Sequence, residues 1–211
     1  MFTNRRAAGK KLAEELAEYR GRKDTVVLAL PRGGVPVAFE VAKRLEVPLD
    51  IIVTRKLGVP GHEELAMGAI SSGGVRIMND DIVRMTGVSK TDIDRVVEQE
   101  TETAQRQEES LRGEKKAVSP QGKHVILVDD GLATGASMRA ALKAVQTAEP
   151  AETIVAVPVG APDSVSAFRS LADKVVAIES PAGFRAVGQF YSEFDQTTDR
   201  EVQDLLAKSD A

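Results

Sequence analysis

The chain has 211 residues, 42% of them hydrophobic and none cysteine, with 28 basic residues against 32 acidic ones for a net charge of −4. That length and apolar content suit one α/β domain with a modest accessory element rather than two full domains. Disulfides, thiolate metal sites and a cysteine nucleophile are excluded. The acidic balance offers no general attraction to nucleic acid or to an anionic membrane surface, so any anion site must be local. Residues 1–23 are mostly polar with both charge signs, and no stretch approaches membrane-spanning length. The expectation is a soluble, cytoplasmic protein.

Ala8, Leu12, Leu16 and Tyr19 recur at helical spacing over residues 4–19, and Gly21 follows as a stop, predicting an amphipathic first helix. Residues 25–30 read as a buried strand, Pro31-Arg32-Gly33-Gly34 breaks the chain, and residues 35–45 resume at helical period. Arg32 there is a fixed cation, and the two glycines let backbone N–H groups approach a ligand. Residues 49–53 form a second strand. Residues 55–65 hold two glycines, a proline and many charges without apolar periodicity, so they read as a mobile loop. Residues 66–71 and 75–78 read as short strands of a hairpin around Ser72-Gly73-Gly74.

From residue 79 to 112 the chain is charged and helical, with a capping box at Ser89 and Asp92 and a narrow apolar stripe through Ile93, Val97, Ala104 and Leu111. This helical insertion, bounded at 79–117, reads first as a solvated structural arm, with a lid or a docking face for a second subunit as alternatives. Residues 125–128 form another buried strand, which ends in Asp129 and Asp130. Gly131 permits an immediate turn. Ala133, Thr134, Gly135, Ala136 and Ser137 then open a helix continued by residues 138–143, offering unpaired N–H groups and two hydroxyls where the helix dipole favours an anion. Strands at 153–157 and 174–178, separated by a helix at 163–171, complete an alternation that implies a parallel sheet. His124, at the far end of its strand from this turn, is set aside. The tail, residues 180–211, gathers Phe184, Phe190, Tyr191 and Phe194 ahead of a short helix at 199–206.

Residues 125–137 resemble the phosphoribosyl pyrophosphate (PRPP) signature of type I phosphoribosyltransferases: a hydrophobic strand, two acids and a Thr-Gly-rich loop. Gly131 departs from that signature's branched aliphatic residue. The resemblance covers about residues 24–71 and 122–178 of a single domain spanning 1–211 and implies a phosphoribosyltransferase-like α/β fold, a parallel sheet flanked by helices; it leaves the helical insertion and the 180–211 tail unassigned, and family members commonly build a small hood from such terminal segments. It implies that Asp129 and Asp130 hold the ribose hydroxyls and that residues 133–137 wrap the 5′-phosphate. Arg32, Gly33 and Gly34 would bind pyrophosphate through a turn in which the Pro31–Arg32 bond is the candidate cis peptide. Residues 54–69 resemble the family's flexible catalytic loop, so Arg55 and Lys56 would close over the leaving group and stand with Asp130 as catalytic residues.

The implied reaction transfers 5-phosphoribosyl from PRPP to a nitrogenous acceptor, a nucleobase or related amine, with release of pyrophosphate. Mg2+ would be carried by PRPP and water, with Asp129 and Asp130 as further ligands. His62, Glu63 and Glu64 are secondary candidates for proton donation or for holding hydrated magnesium. Phe184 and Tyr191 are the acceptor-stacking candidates, and the partners implied are these small molecules and a second copy of the chain in a homo-oligomer, a dimer first. A non-catalytic sensor of PRPP or a nucleotide is the alternative. A phosphatase built on the two acids is weakened by the missing Asp-x-Asp spacing. No Gly-x-Gly-x-x-Gly or Gly-Lys-Ser/Thr motif supports dinucleotide or P-loop binding.

Overall fold

The computed structural model describes residues 1–209. The Asn4 side chain accepts from the Ala7 N–H to start α1 (Arg5–Glu15), which buries Ala8, Gly9, Leu12 and Ala13. Leu16 and Tyr19 remain buried just beyond, but a 3₁₀ turn at Ala17–Tyr19 carries them, so the first helix is shorter than its apolar spacing implies. Strand β1 (Thr25–Ala29) is buried throughout and leads into α2 (Gly34–Leu45) and β2 (Leu49–Ile51). Later come β6 (His124–Val128), α5 (Ala136–Gln146), β7 (Glu152–Val159), α6 (Pro162–Phe168), β8 (Lys174–Glu179) and α7 (Asp199–Lys208).

Strands β2, β1, β6, β7 and β8 lie in that order in one sheet, and every pair is parallel. Alternation along the strands sends Val27, Ala29, Ile126, Val128, Ile154 and Ala156 to the face covered by α1, α2 and α7. Val26, Leu28, Val125, Leu127, Val155 and Val157 go to the face covered by α5 and Phe168. Both faces are therefore covered, which is why these strands read as continuous apolar runs.

A second sheet contains β3 (Thr54–Val59), β4 (His62–Ser71) and β5 (Arg76–Met78), all antiparallel. The expected loop at 55–65 is thus largely paired strand. Pro60 and Gly61 close the hairpin, with Gly61 at φ 78°. A register shift at Gly58, where a Cβ would come within 2.7 Å of the Glu63 carbonyl oxygen, interrupts the alternation that would have marked a strand in sequence. Two helices follow, α3 (Asp80–Thr86) and α4 (Lys90–Arg112). Val96, Val97 and Ile93 of α4 pack against Leu57, Val59, Met67 and Ile70, while Ala104 and Leu111 enter the main core. The stripe of α4 therefore bridges the two sheets rather than belonging to a solvated arm. At its end Arg112 pairs with the buried Asp50 of β2 at 2.9 Å and with Glu108 at 2.6 Å, anchoring the insertion to the parallel sheet. No helix among the described residues is long and apolar enough to cross a membrane.

The α1–α2 contact is a direct test of this packing. A Cβ on Gly9 would lie 2.4 Å from the Val37 carbonyl oxygen and 2.9 Å from Glu40 Cβ. Gly9→Ala gains about 1 kcal/mol of intrinsic helix propensity, but a backbone clash of this kind costs about 1–3 kcal/mol. The clash is expected to win, giving a lower urea midpoint with an unchanged m-value; a stabilised variant would contradict the packing.

Candidate functional site

The strand order reverses between β1 and β6, since the chain runs outward from β1 to β2 but continues from β6 to β7 in the other direction. Open α/β sheets bind ligands in the crevice at the carboxyl ends of strands flanking such a reversal. The two turns that meet there are residues 30–34 after β1 and 129–135 after β6, joined by the Leu30 N–H donating to the Val128 carbonyl at 2.9 Å. The Pro31–Arg32 peptide is cis. A Cβ on Gly33 would lie 2.2 Å from Asp130 Oδ2, and one on Gly34 would lie 2.7 Å from the Val128 oxygen and 2.9 Å from Asp129 Cα. Only glycines let the first turn close onto the acids.

The acids form a tightly held pair. The Asp130 N–H donates to Asp129 Oδ1 at 2.8 Å, Arg5 Nε donates to Asp130 Oδ2 at 2.8 Å, and the Tyr191 hydroxyl donates to the Asp130 carbonyl at 2.6 Å. Burial, and then the neighbouring Asp130 charge, push the Asp129 carboxyl well above the ordinary carboxylate range. Burial also raises Asp130, against the opposing pull of Arg5. Gly131 has a physical reason here: a Cβ would come within 2.5 Å of Val187 Cγ1, so the tail supplies the aliphatic group that residue 131 lacks.

Beyond the acids the chain opens. The side chains of Ala133, Thr134, Ala136 and Ser137 are exposed, Gly135 adopts φ 75°, and no side chain caps α5. The first-turn N–H groups of α5 thus face the crevice mouth without a side-chain acceptor, at the positive end of the helix dipole. A cavity of about 590 Å3 lies between Thr134, Ala136 and Arg139 on this side and Ile77, Met78 and Asn79 on the other.

Arg32 projects from the first turn, 40% exposed, 3.5 Å from Asp199 at the start of α7. Arg55 and Lys56 are adjacent on β3 and so leave it on opposite faces. Arg55 is ion-paired with Glu100 of α4, away from the crevice. Lys56 lies 3.8 Å from Glu64 and lines, with Arg55, Glu63, Glu64 and Glu100, a separate cavity rather than the one beside Thr134. His62, Glu63 and Glu64 are exposed near the hairpin tip; backbone N–H groups, including that of Gly61, lower Glu63.

The tail aromatics divide. Phe184 is half-buried and stacks on Phe190 with centroids 5.5 Å apart. Tyr191 is 6% exposed, between Phe2 at 5.6 Å and Phe194 at 5.0 Å. The expectation that Tyr191 stacks on an acceptor ring gives way to these contacts: its ring is covered and its hydroxyl fixes the Asp130 backbone. His124 lies at the opposite end of β6, bonded to Glu152 and Arg22. Arg5 and Arg139 were not singled out from the sequence. Arg5 opens a helix 125 residues before its partner Asp130, and no local pattern marks that distance as a contact.

A family model for the phosphoribosyl transferase domain matches residues 2–194. Proteins from two strains of Mycobacterium tuberculosis, each named "Putative phosphoribosyl transferase", are 46% identical over 209 residues, covering 99% of this chain and 47% of theirs. The chain thus spans about half the length of these curated relatives. The crystal structure of TT1426 from Thermus thermophilus superposes with a TM-score of 0.85 at 40% identity, covering 99% of this chain and 98% of that one. AQ2163 from Aquifex aeolicus, at 11% identity and a TM-score of 0.51 over 83% of this chain and 74% of its own, shares the fold alone. The five-stranded parallel sheet, with its helices on both faces, is the type I phosphoribosyltransferase fold, and the chain belongs to the phosphoribosyl transferase domain family.

Proposed function

We propose that the chain binds PRPP in the crevice between β1 and β6 and transfers its phosphoribosyl group to a nitrogenous acceptor, a nucleobase or related amine, releasing pyrophosphate. The observation that carries this reading is the seating of the Gly33–Gly34 turn directly on the Asp129–Asp130 pair, beside an uncapped helix start. These three parts offer a sugar phosphate everything it needs within one crevice. Residues 133–137 hold the 5′-phosphate, Asp129 and Asp130 orient the ribose hydroxyls, and Arg32 with the Gly33–Gly34 turn holds the pyrophosphate.

In this reading the acceptor nitrogen's lone pair forms the bond to the anomeric carbon as the carbon–oxygen bond to pyrophosphate breaks, and the oxygen keeps that electron pair. The nitrogen proton passes to solvent. Arg32, with Lys56 of the hairpin as the second cation this reading assigns to the pyrophosphate, offsets the charge that grows on the departing oxygens. Two carboxylates are the hard oxygen donors that suit magnesium, and the described residues hold no cluster of three or more potential metal ligands. Asp129 and Asp130 would add to the shell of an ion carried by PRPP and water, which would supply charge neutralisation on the pyrophosphate.

Asp129 supports a binding role for the pair. A carboxyl raised by burial weakens the fold when ionised, so stability alone does not explain two adjacent acids there. That destabilisation is absent below the ordinary value of 3.8 and complete once pH passes the raised value. One observation favours the sensor alternative: Arg55, expected over the leaving group, is held by Glu100 on the far face of β3.

Calorimetric titration with Mg–PRPP is expected to show saturable binding that weakens at least about tenfold in Asp130→Asn and Thr134→Ala, since a hydrogen bond to a charged group is worth about 1.5–3 kcal/mol. No binding, or binding unaltered by both substitutions, would remove the donor site. Pyrophosphate release across a panel of purines, pyrimidines and other amines separates enzyme from sensor, silence favouring the sensor. Asp129→Asn keeps an oxygen for the Asp130 N–H, and is expected to raise the melting temperature by a few degrees near about pH 8, with the gain vanishing toward about pH 4. Unchanged or lowered stability at about pH 8 would contradict the burial argument.

A further inference from the structure

Arg5 stands among the groups assigned to the donor without a role in the chemistry above. It comes from the first turn of α1, and its guanidinium is fixed in three ways. Nε donates to Asp130 Oδ2 at 2.8 Å, Nη1 donates to the Asp195 carbonyl at 2.6 Å, and the plane lies 3.8 Å over the Phe194 ring. Arg5 and Asp130 are only 13% and 14% exposed in their side chains, which sets this pair apart from the solvent-facing ion pairs of Arg32 and Lys56. A Cβ on Gly33 would lie 3.4 Å from Arg5 Nε. The guanidinium therefore holds the acid pair and lies close beside the Gly33 turn.

We infer that Arg5 is a positioning residue of the donor site, a built-in cation that fills the place beside Asp130 which a second hydrated metal ion would otherwise take. The inference rests on the PRPP reading above. Asp130 Oδ2 is enclosed by Gly33 on one side and Arg5 on the other, so the carboxylate meets a ligand with Oδ1. The planar fork is what permits this arrangement: it spends one nitrogen on the carboxylate and another on the tail, and keeps its face on a ring. A lysine ammonium supplies the charge but not all three contacts. Arg5 also joins the acid pair to residues 194–195, so the tail is part of the donor site through this side chain.

The consequence is a specific pattern in magnesium. Once PRPP is saturated as its magnesium complex, added free Mg2+ should leave the wild-type affinity flat, because the position beside Asp130 is already filled. In Arg5→Gln that position is open to a hydrated cation. Calorimetry with Mg–PRPP over a range of free Mg2+ is expected to show at least about a tenfold loss in Arg5→Gln at low free Mg2+, a partial recovery as free Mg2+ rises, and an intermediate affinity in Arg5→Lys. Melting curves report folding, and should Arg5→Gln fail to fold, Arg5→Met, which also removes the charge but keeps an apolar stem beside Phe194, replaces it, with the same recovery expected. An affinity equal to wild type would overturn the role of Arg5 and leave the donor site intact. A loss that free Mg2+ does not recover would make Arg5 a structural brace and also overturn the inference. Wild-type protein that fails to bind Mg–PRPP overturns the donor reading itself, and this inference with it.

Discussion

The closeness of two turns governs everything at this site. Residues 30–34 and 128–130 approach until no Cβ fits at Gly33 or Gly34, and the contact forms where the strand order reverses. A crevice made that way has a floor of backbone and carboxylate and little side-chain bulk. Around it stand the open start of α5, the β3–β4 hairpin and the tail that carries Phe194 and Tyr191. The acids would be poorly placed without that support. Tyr191 holds the Asp130 carbonyl, Arg5 its carboxylate, and Val187 the space over Gly131.

The same contacts explain why the terminal segments pack as they do. Phe2 pairs with Tyr191, and the N–H and carbonyl groups of Phe2 bond to Phe190 and Ser192. Residue 2 and residues 190–192 therefore close on each other beside the acid pair. Burial and the neighbouring Asp130 charge push the Asp129 carboxyl up, which fits the ligand role proposed for the pair. The Arg112–Asp50 pair is a different case, a buried ion pair that ties the insertion to the edge strand β2.

Much of this was legible in the sequence because it is local. The strands at 25–29, 124–128 and 152–159 are buried on both faces and so appear as unbroken apolar runs, and the 129–137 turn is a contiguous string of residues with one chemistry. The cis bond at Pro31–Arg32 came from the resemblance and not from spacing. What failed to show was long-range or two-faced. The hairpin at 54–71 hides its apolar face behind Lys56, Glu63 and Glu64 and a register shift at Gly58. The α4 stripe looked too narrow for a core, yet it covers one sheet and reaches another. The burial of Tyr191 and the reach of Arg5 depend on the tail folding back, which no periodicity encodes.

The most direct measurement of the central claim is a crystal structure of the protein with Mg–PRPP bound. The account predicts phosphate oxygens on the N–H groups of residues 134–137, ribose hydroxyls on Asp129 and Asp130, and pyrophosphate against Arg32 and the Gly33–Gly34 turn. Phosphate held elsewhere, such as on Arg139 across the neighbouring cavity with the 133–137 loop untouched, would contradict it.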